Sequence, residues 1–206
     1  MRSSMTVRGI VFSALFAAIL VVLSFVQVSL GFSPVPITLE TLAVMLAGAI
    51  LGASYGFFSI FLVVFLTAVG LPLLNGHGGL GLILGPTGGY VWMWPINALL
   101  IGYFVNKVKG RGILASFIIF IIVEIFGVFL DYVSGVGWLA ISNHMSLSKA
   151  LVVGCFPFIP GDTAKAILTT LIAVPIRMVY PSAKLVGNSH QQTVLLTKQD
   201  IAARES

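Results

Sequence analysis

The sequence predicts an all-α integral membrane protein, a polytopic bundle of about six transmembrane helices. Two observations carry this prediction. Of the 206 residues, 58% are hydrophobic and only 8% are charged, whereas about 25% of the residues in a soluble domain are charged. The apolar residues also occur in runs that approach the roughly 20 residues a bilayer-spanning helix needs. So few charges cannot cover a water-facing surface, and the bilayer is the solvent that suits such a chain.

The apolar runs predict six helices, with boundaries good to a few residues. They cover about 8–30, 38–53, 55–71, 88–106, 112–133 and 161–180. The first run is longer than the apolar region of a signal peptide and lacks a cleavage site, so we interpret it as a retained helix. Residues 146–160 form a further apolar stretch, interpreted as a short helix. We assign residues 1–181 to a transmembrane domain and residues 182–206 to a polar cytoplasmic tail.

Basic residues predict the orientation of the bundle. They cluster before the first helix, between the fourth and fifth, and at the end of the sixth: Arg2, Arg8, Lys107, Lys109, Arg111, Arg177 and Lys184. Six crossings place all three clusters on one face, and the positive-inside rule makes that face cytoplasmic. We therefore expect a multi-pass protein of the cell membrane with both termini in the cytoplasm. The clusters end apolar runs and form no nucleic-acid patch.

Three loops on the opposite, outer face are unusually elaborate. They span residues 32–37, 70–90 and 134–148, and the second is rich in glycine. Binding residues often lie on loops held by a rigid scaffold. The outer face is therefore where we expect a ligand.

The strongest group of polar residues is Pro160-Gly161-Asp162-Thr163-Ala164-Lys165. Proline and glycine begin a helix, and the helix dipole favours a carboxylate in its first turn. Lys165 follows Asp162 by three residues, so both side chains share one helix face. The pair is either a structural ion pair with a helix cap or part of a ligand site. Its position below the outer loops favours the ligand site.

The other ionisable residues in apolar segments form no catalytic pattern. Glu40, Glu124 and Asp131 are scattered, and His144 lies in a loop. Their spacing matches neither a metal site nor a nucleophile–base pair. No phosphate-binding G-x-x-x-x-G-K-[ST] loop occurs, so any ATP-driven step must belong to a partner. We expect no enzyme activity, no metal and no cofactor.

Ala14 and Ala18 give the first helix a small face, which Ser13 and Ala17 continue. Small residues four apart allow close helix contact. The face packs either inside this bundle or against another protein.

Four segments in this order and spacing resemble the BioY family, the biotin-specific S components of energy-coupling factor (ECF) vitamin transporters. They are PVPITLETLAVMLAG at 34–48, GLPLLNGHGG at 70–79, LGPTGGY at 84–90 and PFIPGDTAKA at 157–166. The resemblance covers about residues 13–170. It implies the six-helix S-component fold, with biotin bound near the extracellular face under the loops after the first and third helices.

The resemblance also implies roles for individual residues. Asp162 and Lys165 would hydrogen-bond biotin, and Tyr90 would line the pocket. Ala14 and Ala18 would contact the transmembrane T component, which works with two cytoplasmic ABC-type ATPases that alone use ATP. The glycine-rich loop is one residue shorter than in relatives, so both Asn75 and His77 are candidates for a ligand contact. Glu40 stands where the family usually has glutamine.

The expected function is therefore capture of biotin for import by partner subunits. An S component for another vitamin and a solitary biotin permease are the alternatives. An intramembrane enzyme using Glu124, Asp131 and His144 is a remote third. Phe32, Trp92 and Phe158 are equally available as apolar walls for the ligand.

Overall fold

Helices make up most of the chain that the computed structural model describes, residues 6–110 and 112–187. The main helices are α1 (Val7–Ser24), α2 (Glu40–Leu51), α3 (Ala53–Val69), α5 (Gly88–Val105), α6 (Ile113–Val123), α7 (Leu130–Ser142) and α9 (Ile159–Val179). Shorter ones are α4 (Leu80–Ile83), α8 (Leu147–Gly154) and α10 (Ser182–Leu185). The predicted all-α bundle is confirmed.

Three helical segments among the described residues are long and apolar enough to cross a membrane: Val7–Ser24, Ile113–Ser142 and Ile159–Val179. Helices α2 and α3 are apolar but shorter. The count of six crossings stays a prediction. Arg2, Arg111 and residues 188–206 lie outside the described residues.

The first helix is shorter than predicted, because it ends at Ser24 rather than near residue 30. The chain then forms strand β1 (Gln27–Val28), which pairs antiparallel with β2 (Ile37–Thr38). Valine and isoleucine favour extended backbone, and the strand pairing satisfies polar groups that the helix no longer binds. This small hairpin brings residues 35–38 back over the bundle.

The fifth predicted span is longer than expected. Helices α6 and α7 are joined without a break by a π-helical segment, Glu124–Phe129, so that helical backbone runs from Ile113 to Ser142. Most of the outer loop predicted at 134–148 is therefore helix. Gly135 in this stretch packs against the Tyr90 ring, so it is a close-contact position within the helix.

The π-helical segment keeps one side of this long helix turned towards the bundle. Buried residues recur every four positions: Val123, Gly127, Asp131, Gly135 and Leu139. An α-helix has 3.6 residues per turn, so a four-residue repeat drifts around its axis. Hydrogen bonds from i to i+5 widen the turn and offset part of that drift. Asp131 consequently faces the interior.

Helix α5 occupies the middle of the bundle and packs against α2, α3 and α7. Two glycines allow the close approach. A Cβ atom on Gly48 of α2 would lie 2.6 Å from the carbonyl oxygen of Ala98 on α5, and one on Gly102 would collide with the backbone at Gly52 and Ala53. Small residues at helix contacts are typical of membrane bundles.

Arg177, near the end of α9, binds the C-terminal ends of two neighbouring helices. Its Nη1 donates to the carbonyl oxygen of Ala49 (2.6 Å), and its Nη2 donates to Asn106 Oδ1 (2.8 Å) and to Val105 O (3.4 Å). The last carbonyls of a helix lack partners within the helix and carry partial negative charge. The guanidinium therefore fastens α2, α5 and α9 together at this end.

The described ends of the chain meet at the same end of the bundle. Thr6 Oγ1 donates to the carbonyl oxygen of Val186, and Ser182 Oγ donates to Asn106 Oδ1 at 2.9 Å. Leu185 and Val186 are buried. The first residues of the predicted tail therefore pack on the bundle, and the domain boundary at residue 181 stays a prediction.

Replacing Arg177 with methionine should lower the stability of the bundle. Hydrogen bonds to a charged group contribute about 1.5–3 kcal/mol each, and Arg177→Met leaves two helix ends without them. We expect a lower Tm for the purified protein in detergent. Arg8→Met, at an exposed arginine on α1, is the matched control and should melt like the wild type. Equal melting of the two variants would contradict the capping role.

Candidate ligand-binding site

A cavity of about 340 Å³ lies between α2, α5, α7 and α9. Pockets for small ligands are commonly about 300–1,000 Å³ and mostly apolar with a few polar groups. All five predicted ligand residues line this cavity: Asn75, His77, Tyr90, Asp162 and Lys165. The fold thus brings together residues from three of the four recognised segments, and the fourth contributes residues 35–41.

Asp162 and Lys165 form a buried ion pair in the cavity wall. Pro160 lies at the start of α9, and Asp162 falls in its first turn as predicted. Lys165 Nζ lies 2.7 Å from Asp162 Oδ1, and each residue is only 9% exposed. A buried charge is costly unless it is paired and hydrogen-bonded. The pairing allows both charges to stand in an apolar surrounding.

Two neighbouring helices supply further partners to this pair. Thr41 of α2 accepts from Lys165 Nζ at 3.1 Å and donates to Asp162 Oδ1 at 3.4 Å. Tyr132 of α7 donates to Asp162 Oδ2 at 2.5 Å. Sequence reasoning missed both residues. Thr41 lies in a recognised segment, but no local pattern aims Tyr132 at α9.

Among the residues that the structure describes, the ion pair keeps one donor and one acceptor position without a partner. A carboxylate has about four lone-pair positions and an ammonium has three protons. Asp162 accepts three hydrogen bonds and Lys165 donates two. A ligand can therefore donate to Asp162 Oδ2 and accept from Lys165 without disrupting the network.

A second buried carboxyl, Asp131, lines the same cavity. Its Oδ1 accepts from Asn97 Nδ2 at 2.8 Å, and the residue is 4% exposed. Trp94 lies beside it, and the indole Nε1 atom has no hydrogen-bond partner among the described residues. The cavity thus holds more acidic groups than Lys165 alone can pair.

Tyr90 reaches the cavity from the start of α5 and is fixed in place by two glycines. Its hydroxyl donates to the carbonyl oxygen of Gly154 at 2.7 Å. Its ring lies directly on Gly135 of α7, where any Cβ atom would collide with it. The ring is therefore held rigidly as an apolar wall.

The glycine-rich loop ends in a tight turn at the mouth of the cavity. Leu74 and His77 pair across Asn75 and Gly76, which both have positive φ, as a type I′ hairpin turn requires. The backbone N–H of Asn75 donates to Ser24 Oγ at 2.8 Å. Asn75 is half-buried and His77 is exposed. The Asn-Gly pair was a turn signal available in the sequence.

The candidate apolar walls separate clearly. Phe158 is buried and lines the cavity, whereas Phe32 is 62% exposed and Trp92 packs at a tilt against Trp138. Phe158 is thus the one of the three that can contact a ligand in the cavity.

The residues considered for an intramembrane enzyme are not brought together. Asp131 lines the cavity, but His144 is exposed in the turn after α7. Glu124 accepts from Thr163 Oγ1 at 2.7 Å and does not line the cavity. Among the residues the structure describes, no group of three His, Cys, Asp or Glu is placed to hold a metal ion.

Ala14 and Ala18 lie on the exposed side of α1. These two residues therefore do not pack inside the bundle. Ser13 and Ala17 belong to the other side, where they are buried and Ser59 Oγ of α3 donates to Ser13 O at 2.8 Å. The outer face of α1 is free for lipid or for another protein.

These features define a helical membrane protein with a buried site for a small ligand. Comparisons with known proteins give the family. The family model of the BioY family matches residues 1–182. The biotin transporter BioY of Rhizobium etli is 38% identical over 86% of this chain and 97% of its own length, and that of Rhodobacter capsulatus is 40% identical over the same shares.

A solved structure, the S-component for biotin from an ECF-type ABC transporter, has a TM-score of 0.79 and is 37% identical. The match covers 86% of this chain and 95% of that one. The chain belongs to the BioY family. The predicted family and S-component fold are confirmed, and membership of a transporter family confirms that the chain is not an enzyme.

Adding a methyl group at Gly135 should disturb the site. Gly135→Ala forces the Tyr90 ring to move, and overpacking of this kind typically costs about 1–3 kcal/mol. We expect a lower Tm in detergent. Gly137→Ala on the same helix, where a Cβ atom meets no neighbour within 4 Å, should not lower it. A Gly135→Ala protein as stable as Gly137→Ala would contradict the rigid contact.

Proposed function

We propose that this chain is the biotin-binding S component of an ECF transporter. It captures biotin at the extracellular face, and partner subunits import it with the energy of ATP. Membership of the BioY family supports the ligand, since curated relatives are named biotin transporters. The chain contains no phosphate-binding loop of its own, and it needs no cofactor in this role.

The observation that carries the proposal is the buried Asp162–Lys165 pair in a ligand-sized cavity. The ureido ring of biotin offers two N–H donors and one carbonyl acceptor. One ureido N–H suits the open position on Asp162 Oδ2. The third proton of Lys165 suits the ureido carbonyl or the valerate carboxylate. Tyr90 and Phe158 provide apolar surfaces for the bicyclic ring and the aliphatic chain, and Asn75 and His77 contact the ligand at the mouth.

Contacts at the other end of the bundle support the proposed orientation. Asn106 binds Arg177 and Ser182, and Thr6 binds Val186, so the first and last described residues share one end with the 106–109 turn. This arrangement supports a common face for the basic clusters around Arg8, Lys107 and Lys184. We propose that this face is cytoplasmic, that the chain crosses the membrane six times and that the cavity opens outside.

Removing either member of the ion pair should weaken biotin binding. A charge-assisted hydrogen bond contributes about 1.5–3 kcal/mol, so Asp162→Asn and Lys165→Met should each raise the Kd by about tenfold to a hundredfold. Equilibrium binding of labelled biotin to purified protein in detergent measures this.

Lys149→Met, at an exposed lysine on α8, is the control and should bind like the wild type. Unchanged affinity in both ion-pair variants would exclude this site. Absence of binding by folded wild type would exclude biotin and direct the search to other vitamins.

The exposed face of α1 provides the contact with a transmembrane T component. Ala14 and Ala18 are small and four residues apart, which permits a close helix contact with that partner. We propose that the T component and two ABC-type ATPases complete the transporter.

Bulky residues at Ala14 and Ala18 should uncouple binding from uptake. The double variant Ala14→Trp/Ala18→Trp should keep the wild-type Kd for biotin and lose ATP-driven uptake in cells that contain the partner subunits. Leu171→Trp, on the exposed side of α9, controls for a bulky substitution elsewhere and should retain uptake. Normal uptake by the double variant would refute the assignment of this face.

A further inference from the structure

The proposed site leaves Asp131 without a role, although it is a buried carboxyl in the cavity wall. Asn97 donates to its Oδ1 at 2.8 Å, and the carboxyl has further lone pairs with which it can accept from a ligand. The adjacent Trp94 is 4% exposed, and its indole N–H has no hydrogen-bond partner among the described residues. A buried donor without a partner is costly, so this part of the cavity wall suits a polar ligand.

Asp162 alone cannot bind both N–H groups of a cyclic urea. Its Oδ1 faces α2 and already accepts from Lys165 and Thr41, which fills both lone pairs. Its Oδ2 faces α7 and accepts from Tyr132, so one lone pair is open. The second N–H therefore needs another acceptor, and a ring bound at Oδ2 lies on the α7 side of Asp162.

Asp131 is the carboxyl on that side. It precedes Tyr132 in α7, whose hydroxyl donates to Asp162, and both acids line the cavity. Glu40, the other acid in the cavity wall, begins α2, the helix that faces Asp162 Oδ1 on the opposite side. Asn75 lies half-buried in the turn at the mouth.

We propose that Asp131 accepts the second ureido N–H of the ligand and thereby selects cyclic ureas in which both nitrogens are unsubstituted. Asp162 accepts a hydrogen bond from one N–H and Asp131 from the other, so each carboxyl recognises one edge of the ureido ring. This assignment rests on the proposed function. It adds a specificity-determining residue on α7 to the residues on α9.

Two isomers of biotin, each methylated on a different ureido nitrogen, test the assignment. Each isomer lacks one N–H. In wild type both should bind more weakly than biotin. Asp131→Leu should lower the affinity for biotin about tenfold to a hundredfold. It should leave the affinity for one isomer nearly unchanged, because that isomer lacks the N–H that would donate to Asp131. Asp162→Asn should show this pattern with the other isomer.

Glu40→Gln is the matched control for a cavity carboxyl and should preserve the wild-type discrimination. Where Asp131→Leu does not fold, Asp131→Asn should show the same isomer pattern with a smaller, several-fold effect. If Asp131→Leu lost affinity equally for biotin and for both isomers, Asp131 would have only a structural role and the proposal would be overturned. Loss of discrimination in Glu40→Gln would overturn it as well. Wild type that does not bind biotin would instead refute the proposed function, so the two failures are distinct.

Discussion

The Asp162–Lys165 ion pair is the interaction on which the rest of the site depends. Two opposite charges can stand among apolar helices only while each holds the other and enough further polar groups surround them. Thr41 comes from α2 and Tyr132 from α7, so the pair fixes how these two helices meet α9. The network that makes burial tolerable also leaves one donor and one acceptor free. Stability and readiness for a ligand thus have the same physical origin.

Much of this architecture could be predicted because membrane helices are recognised from apolar composition. The Pro160-Gly161 helix start and the i,i+3 spacing of Asp162 and Lys165 are local features, and the structure has both. Tyr132 could not be predicted, because its contact with Asp162 depends on the packing of α7 against α9. The extension of α7 to Ser142 was not predicted, because the continuous apolar run that indicates this helix ends near residue 133. Residue 135 is glycine within this helix because the Tyr90 ring lies where a Cβ atom would be.

The two ends of the bundle are held together by different means. At the cavity end, polar side chains bind one another and leave space between the helices. At the other end, Arg177 binds helix carbonyls directly, and Ser182 and Val186 join the described chain ends to the bundle. Close glycine contacts between α2, α3 and α5 connect the two regions. The cavity end therefore has room for a ligand, whereas the other end is held by direct contacts between helices.

Ser24, the last residue of α1, has a mechanical consequence. Its Oγ accepts from the backbone of Asn75 and contacts the carbonyl oxygen of Leu73, and the residue is fully buried. The helix that carries Ala14 and Ala18 is thus tied to the turn at the cavity mouth. A tilt of α1 either moves the turn with it or breaks the hydrogen bond between Asn75 and Ser24. A force on the exposed face of α1 is therefore transmitted to the mouth of the cavity.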